Sequence, residues 1–248
     1  MELTLTKKPK NPIVIEGFPG FGLVGTIATE FLLEHLQTEH IGHIWFEEMP
    51  ATVAIHKNKL IDPISINYNK KHNIVIIHAV TNPVGIEWKA ADAVLEICEK
   101  LGTKQLITIE GVGTAIPQPK EEALKKVIDG KGGKGVFYYA NDTTLKKQLD
   151  KAKVAPLGEG IIVGVTSSIL LKTKIPTAAI FAETAIGLPD SKAAARVIEV
   201  LDKMFGLGVD PKPLIKQAEQ FEEKLKSLMA QVQTASKDTE KKQVGYIG

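Results

Sequence analysis

The chain has 248 residues, 44% hydrophobic and 24% charged, with 31 Lys+Arg against 29 Asp+Glu for a formal net charge of +2. That is enough for one large α/β domain or two small ones, with no global field to draw in nucleic acid. Arg196 is the only arginine, so the forks that grip bases and phosphates are all but absent, and Cys98 is the only cysteine, which excludes an intramolecular disulfide and argues against a thiolate metal site. The first residues carry no signal-peptide pattern, and no apolar run is long enough to span a bilayer. The expectation is a cytoplasmic protein without a membrane or nucleic-acid partner.

In chain order, residues 13–16 read as a short buried strand. Residues 23–36 read as a helix with Leu23, Ile27, Phe31 and Leu32 toward one side. Residues 43–46 read as a second strand. Residues 52–80 read as a small antiparallel meander, whose runs 52–56, 60–67 and 73–80 are separated by polar turns, with Pro63 marking an edge or a bulge. Residues 87–101 form an amphipathic helix stopped by Gly102, with Cys98 on one face beside Trp88, Ala91, Leu95 and Leu101. Strands follow at 105–110, 135–139 and 177–182, and helices at 120–128, 143–152 and 191–205; the apolar run 160–171 fits either type, its length and Thr-Ser-Ser centre favouring a buried helix. This alternation predicts a three-layer α/β domain with a largely parallel sheet over residues 1–209.

Beyond it, Asp210 is an N-cap followed by Pro211 at the first helical position. Leu214, Ala218, Phe221, Leu225, Leu228 and Val232 recur at steps of four and three. That seam over residues 210–235 suits a partner helix, or a groove in the chain's own domain. Residues 236–248 form a polar, charged tail that is not expected to fold alone, tipped by Val244, Tyr246, Ile247 and Gly248.

Gly20, Gly22 and Gly25 meet the G-x-G-x-x-G spacing directly after the first strand. Two readings compete. In one, glycines let a pyrophosphate reach amides at a helix N-terminus, with Glu47 or Glu48 on the ribose. In the other, Gly17, Gly20, Gly22 and Gly25 serve a tight strand-to-helix corner. Pro19 removes a donor where the cradle needs one, Phe18 and Phe21 add bulk, and a meander follows where a second βαβ unit should be, so the corner reading is preferred and no cofactor is expected. The loop 129–135 carries a Gly-Lys pattern but joins a helix end to a strand and lacks the Ser or Thr of a P-loop. Ser167 and Ser168 sit in apolar context and read as helix packing. Glu16, His78, Glu110 and Glu183 each close a predicted strand. In a parallel sheet they would meet at the carboxyl edge, where open α/β folds bind ligands. There they would do acid–base work, hold a cation with His78 or take a nucleoside-like ligand, or else accept hydrogen bonds from the turns that follow.

The run Glu16-Gly17-Phe18-Pro19-Gly20-Phe21-Gly22-Leu23-Val24-Gly25 resembles the opening signature of the archaeal proteasome assembly chaperone family, which is similar to the eukaryotic assembly chaperone 2 type. Glu110-Gly111, Gly160-Ile161-Ile162-Val163-Gly164, Ile175-Pro176 and Ala182-Glu183-Thr184 follow in the family's order, so the likeness covers about residues 10–205. The resemblance implies a mixed-sheet α/β/α fold shaped like the nucleoside phosphorylases, without established catalysis, metal or cofactor. It also implies a homo-oligomer, with a paralogous chaperone as a further partner, that engages the α-subunits of the proteasome core particle. Members that dock on the proteasome end in hydrophobic-Tyr-X; here Tyr246 is third from the end. The alternative is an enzyme or ligand sensor using the strand-edge carboxylates.

Overall fold

A computed structural model describes residues 1–56, 58–113, 135–184 and 188–219. In chain order the elements are β1 (Glu2–Leu5), β2 (Ile13–Gly17), α1 (Val24–His35) after a single 3-10 turn, β3 (Thr38–Trp45), β4 (Ala54–His56) and β5 (Lys59–Ile61). They continue with β6 (Ile64–Asn69), β7 (Ile74–Ala79), α2 (Glu87–Leu101), β8 (Gln105–Gly113), β9 (Val136–Ala140) and α3 (Thr143–Lys151). The last are β10 (Ala155–Pro156), α4 (Gly164–Lys172), β11 (Thr177–Thr184) and α5 (Ser191–Phe205). Nine strands form one sheet in the order β1-β3-β6-β7-β2-β8-β11-β9-β10. β7, β2, β8 and β11 are mutually parallel, while β1, β3 and β6 run antiparallel on one side and β9 reverses direction on the other.

The central strands are almost wholly apolar because they are covered on both faces. On one face Ile15, Ile76, Ile107 and Ile180 pack with α1, α3 and α5; on the other Val14, Val75, Ile77 and Leu106 pack with α2 and α4. Helix starts follow local chemistry. Asp142 caps α3 by accepting from the amides of Thr144 and Leu145, and Asp190 caps α5 by accepting from Ala193. Gly102 and Gly206 close α2 and α5 in left-handed conformation.

Several expectations need correction. β1 was not expected: four residues are too few for a periodic signal, yet it pairs antiparallel with β3, with Leu3 and Leu5 against the second core. The meander is two hairpins. β4 and β5 form a separate ribbon, in which Ile55 and Leu60 stand opposite each other, 71% and 74% exposed. Pro63 ends one strand run and its carbonyl receives the Val80 amide, rather than sitting inside a strand. The run 160–171 is helical only from Gly164, whose φ of +81° marks the entry. Cys98 is buried as expected, but Trp88 is exposed, with the Lys172 ammonium 5.2 Å from its ring centroid. The expected helix at 120–128 lies outside the described residues. Residues 212–219 are helical, and Asp210 caps them by accepting from the Lys212 amide. Leu214 is only 4% exposed and packs in the chain's own core, so this residue is not free for an oligomer seam. Phe221, Leu225 and Leu228 lie outside the described residues.

Candidate functional site

The carboxyl edge of the parallel strands is organised around the turn that leaves β2. A Cβ built on Gly17 would overlap the Gly25 carbonyl oxygen and sit 2.8 Å from the Thr29 methyl carbon. On Gly25 it would lie 2.7 Å from the Ile109 carbonyl oxygen. On Gly20 it would strike the Glu110 carboxyl, and on Gly111 the Phe21 carbonyl. These glycines are small because the turn lies directly on β8 and on the first turn of α1. Gly22 is left-handed at φ +64° with Thr184 against its Cα, and Leu23 is left-handed at φ +50°, a conformation that strains a branched side chain. The Cβ directions of these glycines point into packed protein, as a tight strand-to-helix corner requires.

Beneath the turn lie two carboxyl groups. Glu16 is fully buried, and in the parallel register it stands level with Thr108 on β8, one alternation before Glu110 on the same face. Neither Glu16 oxygen closes a well-formed hydrogen bond, and the Thr108 hydroxyl beside it is also unpartnered. Burial drives the Glu16 carboxyl well above the usual carboxylate range; Glu110 adds to the rise and the Phe18 amide pulls weakly against it. Burial also pushes Glu110 up to about 7, against hydrogen bonds from the Thr166 hydroxyl of α4, at 3.2 Å, and from the Gly111 and Phe21 amides. The Cys98 thiol of α2 is pushed up to about 12, mainly by burial, with Thr103 lowering it and Glu16 adding to the rise.

The four expected strand-edge residues do not gather. Glu16, Glu110 and Glu183 share one face of the sheet and step diagonally across β2, β8 and β11. His78 stands level with Gly17 and so faces the other way, toward α1. There the Thr29 hydroxyl donates to the Gly25 carbonyl at 2.8 Å and meets His78 Nδ1 at 2.9 Å, an arrangement that assigns the ring proton to Nδ1. Burial holds the imidazole down at about 4, so it is neutral near pH 7. Glu183 is half-buried and tied to structure: its carboxylate accepts from the Gly135 amide at 3.0 Å and its carbonyl from Arg196 at 2.9 Å. Among the described residues no group of three or more His, Cys, Asp or Glu is placed to hold a metal ion, and no helix is long and apolar enough to cross a membrane. The Glu16–Glu110 pair has the proton affinity of an acid–base couple, but a substrate would have to displace the turn to reach Glu16. Sequence reasoning missed Thr29, Thr108 and Thr166. Ser167 and Ser168 both donate to the Gly164 carbonyl inside α4, as helix packing requires. Val244, Tyr246, Ile247 and Gly248 lie outside the described residues.

Sheet order, layers and the packed turn define a three-layer α/β protein with a mixed central sheet. The PAC2 family model matches residues 14–229, and the chain belongs to that family. The chain is similar to Pyrococcus furiosus PbaA, described as an archaeal homolog of proteasome-assembly chaperone, with 28% identity, full coverage of both chains and a TM-score of 0.80. Its fold also matches that of P. furiosus PbaB, an archaeal proteasome activator, at 23% identity and TM-score 0.72 over 92% of this chain and 98% of that one. An uncharacterized protein of Methanocaldococcus jannaschii is 30% identical over 225 residues, 90% of this chain and 87% of the relative.

Proposed function

We propose that this chain is a non-enzymatic proteasome-assembly chaperone, or a scaffold that binds the proteasome core particle through its α-subunits, working in the cytoplasm as a homo-oligomer. The observation that carries the reading is the match to PbaA along the whole chain, in both sequence and fold. The turn supports it, since its glycines are used for packing against Glu110 and Gly25. Exposed apolar side chains at Ile55, Leu60, Val84 and Ile161 supply surface for a protein partner.

The tails act by multivalency: each contact is weak, and joining several in one assembly raises the effective concentration of the rest. Tyr246 is the anchor, because its ring buries area while its hydroxyl still finds a polar partner. Val244 and Ile247 flank it, and the Gly248 carboxylate pairs with a lysine on the partner. Deleting residues 244–248 is expected to leave melting temperature and oligomer mass unchanged and to weaken binding to purified proteasome α-subunits roughly tenfold or more. Tyr246→Ala reproduces most of that loss. Equal binding by both variants, measured by surface plasmon resonance, would move docking to the folded domain.

Self-association rests on Phe221, Leu225 and Leu228, since Leu214 is already spent in the chain's own core. Light scattering is expected to give a mass well above that of the 26.9 kDa chain. A monomer at tens of micromolar, roughly where weak assemblies still persist, would return the whole helix to an intramolecular groove.

A further inference from the structure

The amino edge of the sheet, opposite the carboxyl edge described above, collects lysines from three connections. Residues 6–12 lead into β2, residues 70–73 into β7 and residues 102–104 into β8. These strands are parallel neighbours that start level, with Ile13 beside Ile74 and Gln105. The connections hold one another in place. The Asn73 side-chain amide donates to the Lys10 and Asn11 carbonyls, each at 3.2 Å, and the Asn73 carbonyl accepts from the Ile13 amide at 3.0 Å. The Asn11 amide donates to the Leu101 carbonyl and the Lys104 amide to the Pro12 carbonyl, both at 2.9 Å. Asn11 and Asn73 are left-handed at φ +51° and +52°, a conformation that asparagine tolerates better than most side chains. A fixed backbone thus presents Lys8, Lys10, Lys70, Lys71 and Lys104 on one edge, all of them exposed.

Charge on this edge is unbalanced. Lys7 holds Glu39, and elsewhere Lys89, Lys100, Lys172 and Lys212 hold Glu48, Glu96, Asp92 and Asp210. Among the described residues no carboxylate forms an ion pair with Lys8, Lys10, Lys70, Lys71 or Lys104. Their five charges exceed the formal +2 of the whole chain, so the edge is a local positive field on a nearly neutral molecule. The acid of α5 that acts on His72, Asp202, already accepts from the Gly208 amide. Burial and Lys71 hold His72 itself below its usual range, so it is neutral near pH 7 and adds no charge.

We propose that this amino edge is a docking surface for an acidic polypeptide segment of a partner protein. The side chains decide the class of partner. All five cations are ammonium groups, which attract carboxylates as point charges; guanidinium forks, the usual grip on phosphates, are absent. None of the exposed large apolar or aromatic side chains lies in the three connections, so nothing there stacks on bases or enters a lipid surface. Three neighbouring strand starts span about 10 Å, and lysine stems widen that, so an extended run of about four to six residues can lie across it. The surface is separate from the C-terminal tail and helix, so its failure leaves the chaperone reading standing.

The probe is a fluorescein-labelled peptide of about ten residues alternating Glu and Ser, long enough to cross the edge. Its glutamine counterpart and an oligouridylate of similar length are the comparisons, with binding to the full chain read by fluorescence anisotropy at pH 7. The acidic peptide is expected to bind, and to weaken as salt is added. Lys70→Gln/Lys71→Gln and Lys8→Gln/Lys10→Gln should each weaken it about fivefold. Lys89→Gln/Lys172→Gln, which removes the same charge from lysines already paired, should change it less than about twofold. Melting temperatures no lower than wild type in the first two variants show that the loss is not one of folding. Carbodiimide coupling, which condenses a peptide carboxyl with a lysine amine into an amide as the carbodiimide leaves as a urea, should place the peptide on the five edge lysines. Equal binding of the acidic and glutamine peptides, or equal losses in the edge and control variants, overturns the proposal. So does coupling spread evenly over the paired lysines, and so does tighter binding of the oligouridylate, which would assign the edge to nucleic acid.

Discussion

Gly17→Ala is expected to destabilise the fold by about 3 kcal/mol or more, lowering the melting temperature by about 10 °C for a chain of this size. The added methyl has nowhere to go. It would overlap the Gly25 carbonyl oxygen, lie 2.6 Å from the carbonyl carbon and meet the Thr29 methyl at 2.8 Å. Two of the three obstacles are backbone at the start of α1, and that helix is fixed by Val24, Ala28 and Leu32 in the core. A rotamer change therefore cannot relieve the clash; either α1 or β2 must move, and overpacking of a dense core is costly. Gly158→Ala is the control, because nothing lies within 4 Å of the Cβ it would gain. Thermal denaturation of both variants followed by circular dichroism checks the pair. A Gly17→Ala protein as stable as Gly158→Ala would mean that the β2–α1 corner is looser than its geometry states.

Stability should fall as the pH rises from 5 to 8, and Glu16→Gln should flatten that fall. Two carboxyl groups have their proton affinity raised by folding, so their contribution is complete below about 4.5 and is lost on the way up through their folded values. For Glu110, raised to about 7, the loss amounts to about 3 kcal/mol and is finished near neutrality. For Glu16 it continues to higher pH. His78 works in the opposite direction: its proton affinity is lowered to about 4, so its contribution is present above 6.5 and is lost as the pH falls through 4. Between pH 4.5 and 6.5 His78 and Glu110 nearly cancel, and above 6.5 only the carboxyl groups remain. An amide at position 16 keeps the shape of the neutral acid without its proton equilibrium. Urea denaturation at pH 5, 6.5 and 8 is expected to show Glu16→Gln close to wild type at pH 5 and clearly more stable at pH 8. A constant difference at the three values would show that Glu16 is ionised throughout.

The parallel centre of the fold was legible because its signals are long or carry explicit stops. Glu87–Leu101 has four turns of helical periodicity and Gly102 behind it; Ser191–Phe205 has Asp190 before it and Gly206 after it. What escaped was short or depended on pairing. β1 offers only four residues and exists because β3 lies beside it. The split at Pro63 follows from tertiary placement, since the same residues would make one longer strand if the β4–β5 ribbon lay in the main sheet. Within the site, residue types at strand ends were readable but their facing was not. One residue of register decides the side: Glu16 faces α2 and α4, whereas His78, level with Gly17, faces α1. The resemblance carried by Glu16 to Gly25 identifies the family from sequence alone, because that segment combines glycines forced by contacts with Ile109, Glu110 and Thr184, residues far along the chain.

The order of strands in the sheet also sets a timetable for synthesis. β2 emerges second, yet its two neighbours are β7 and β8, at residues 74–79 and 105–113. Until β8 leaves the ribosome, one edge of β2 is bare. The antiparallel half fares differently: β1, β3, β6 and β7 are complete by Ala79, and β6 and β7 join through a four-residue connection. Local pairings of this kind close quickly, while parallel pairings across long connections close slowly. The nascent chain therefore builds one flank of its sheet first and holds β2 against β7 with its other edge open for the interval in which α2 is made. During that interval the incomplete product is itself exposed to strand-to-strand aggregation, a hazard that falls before the fold is complete.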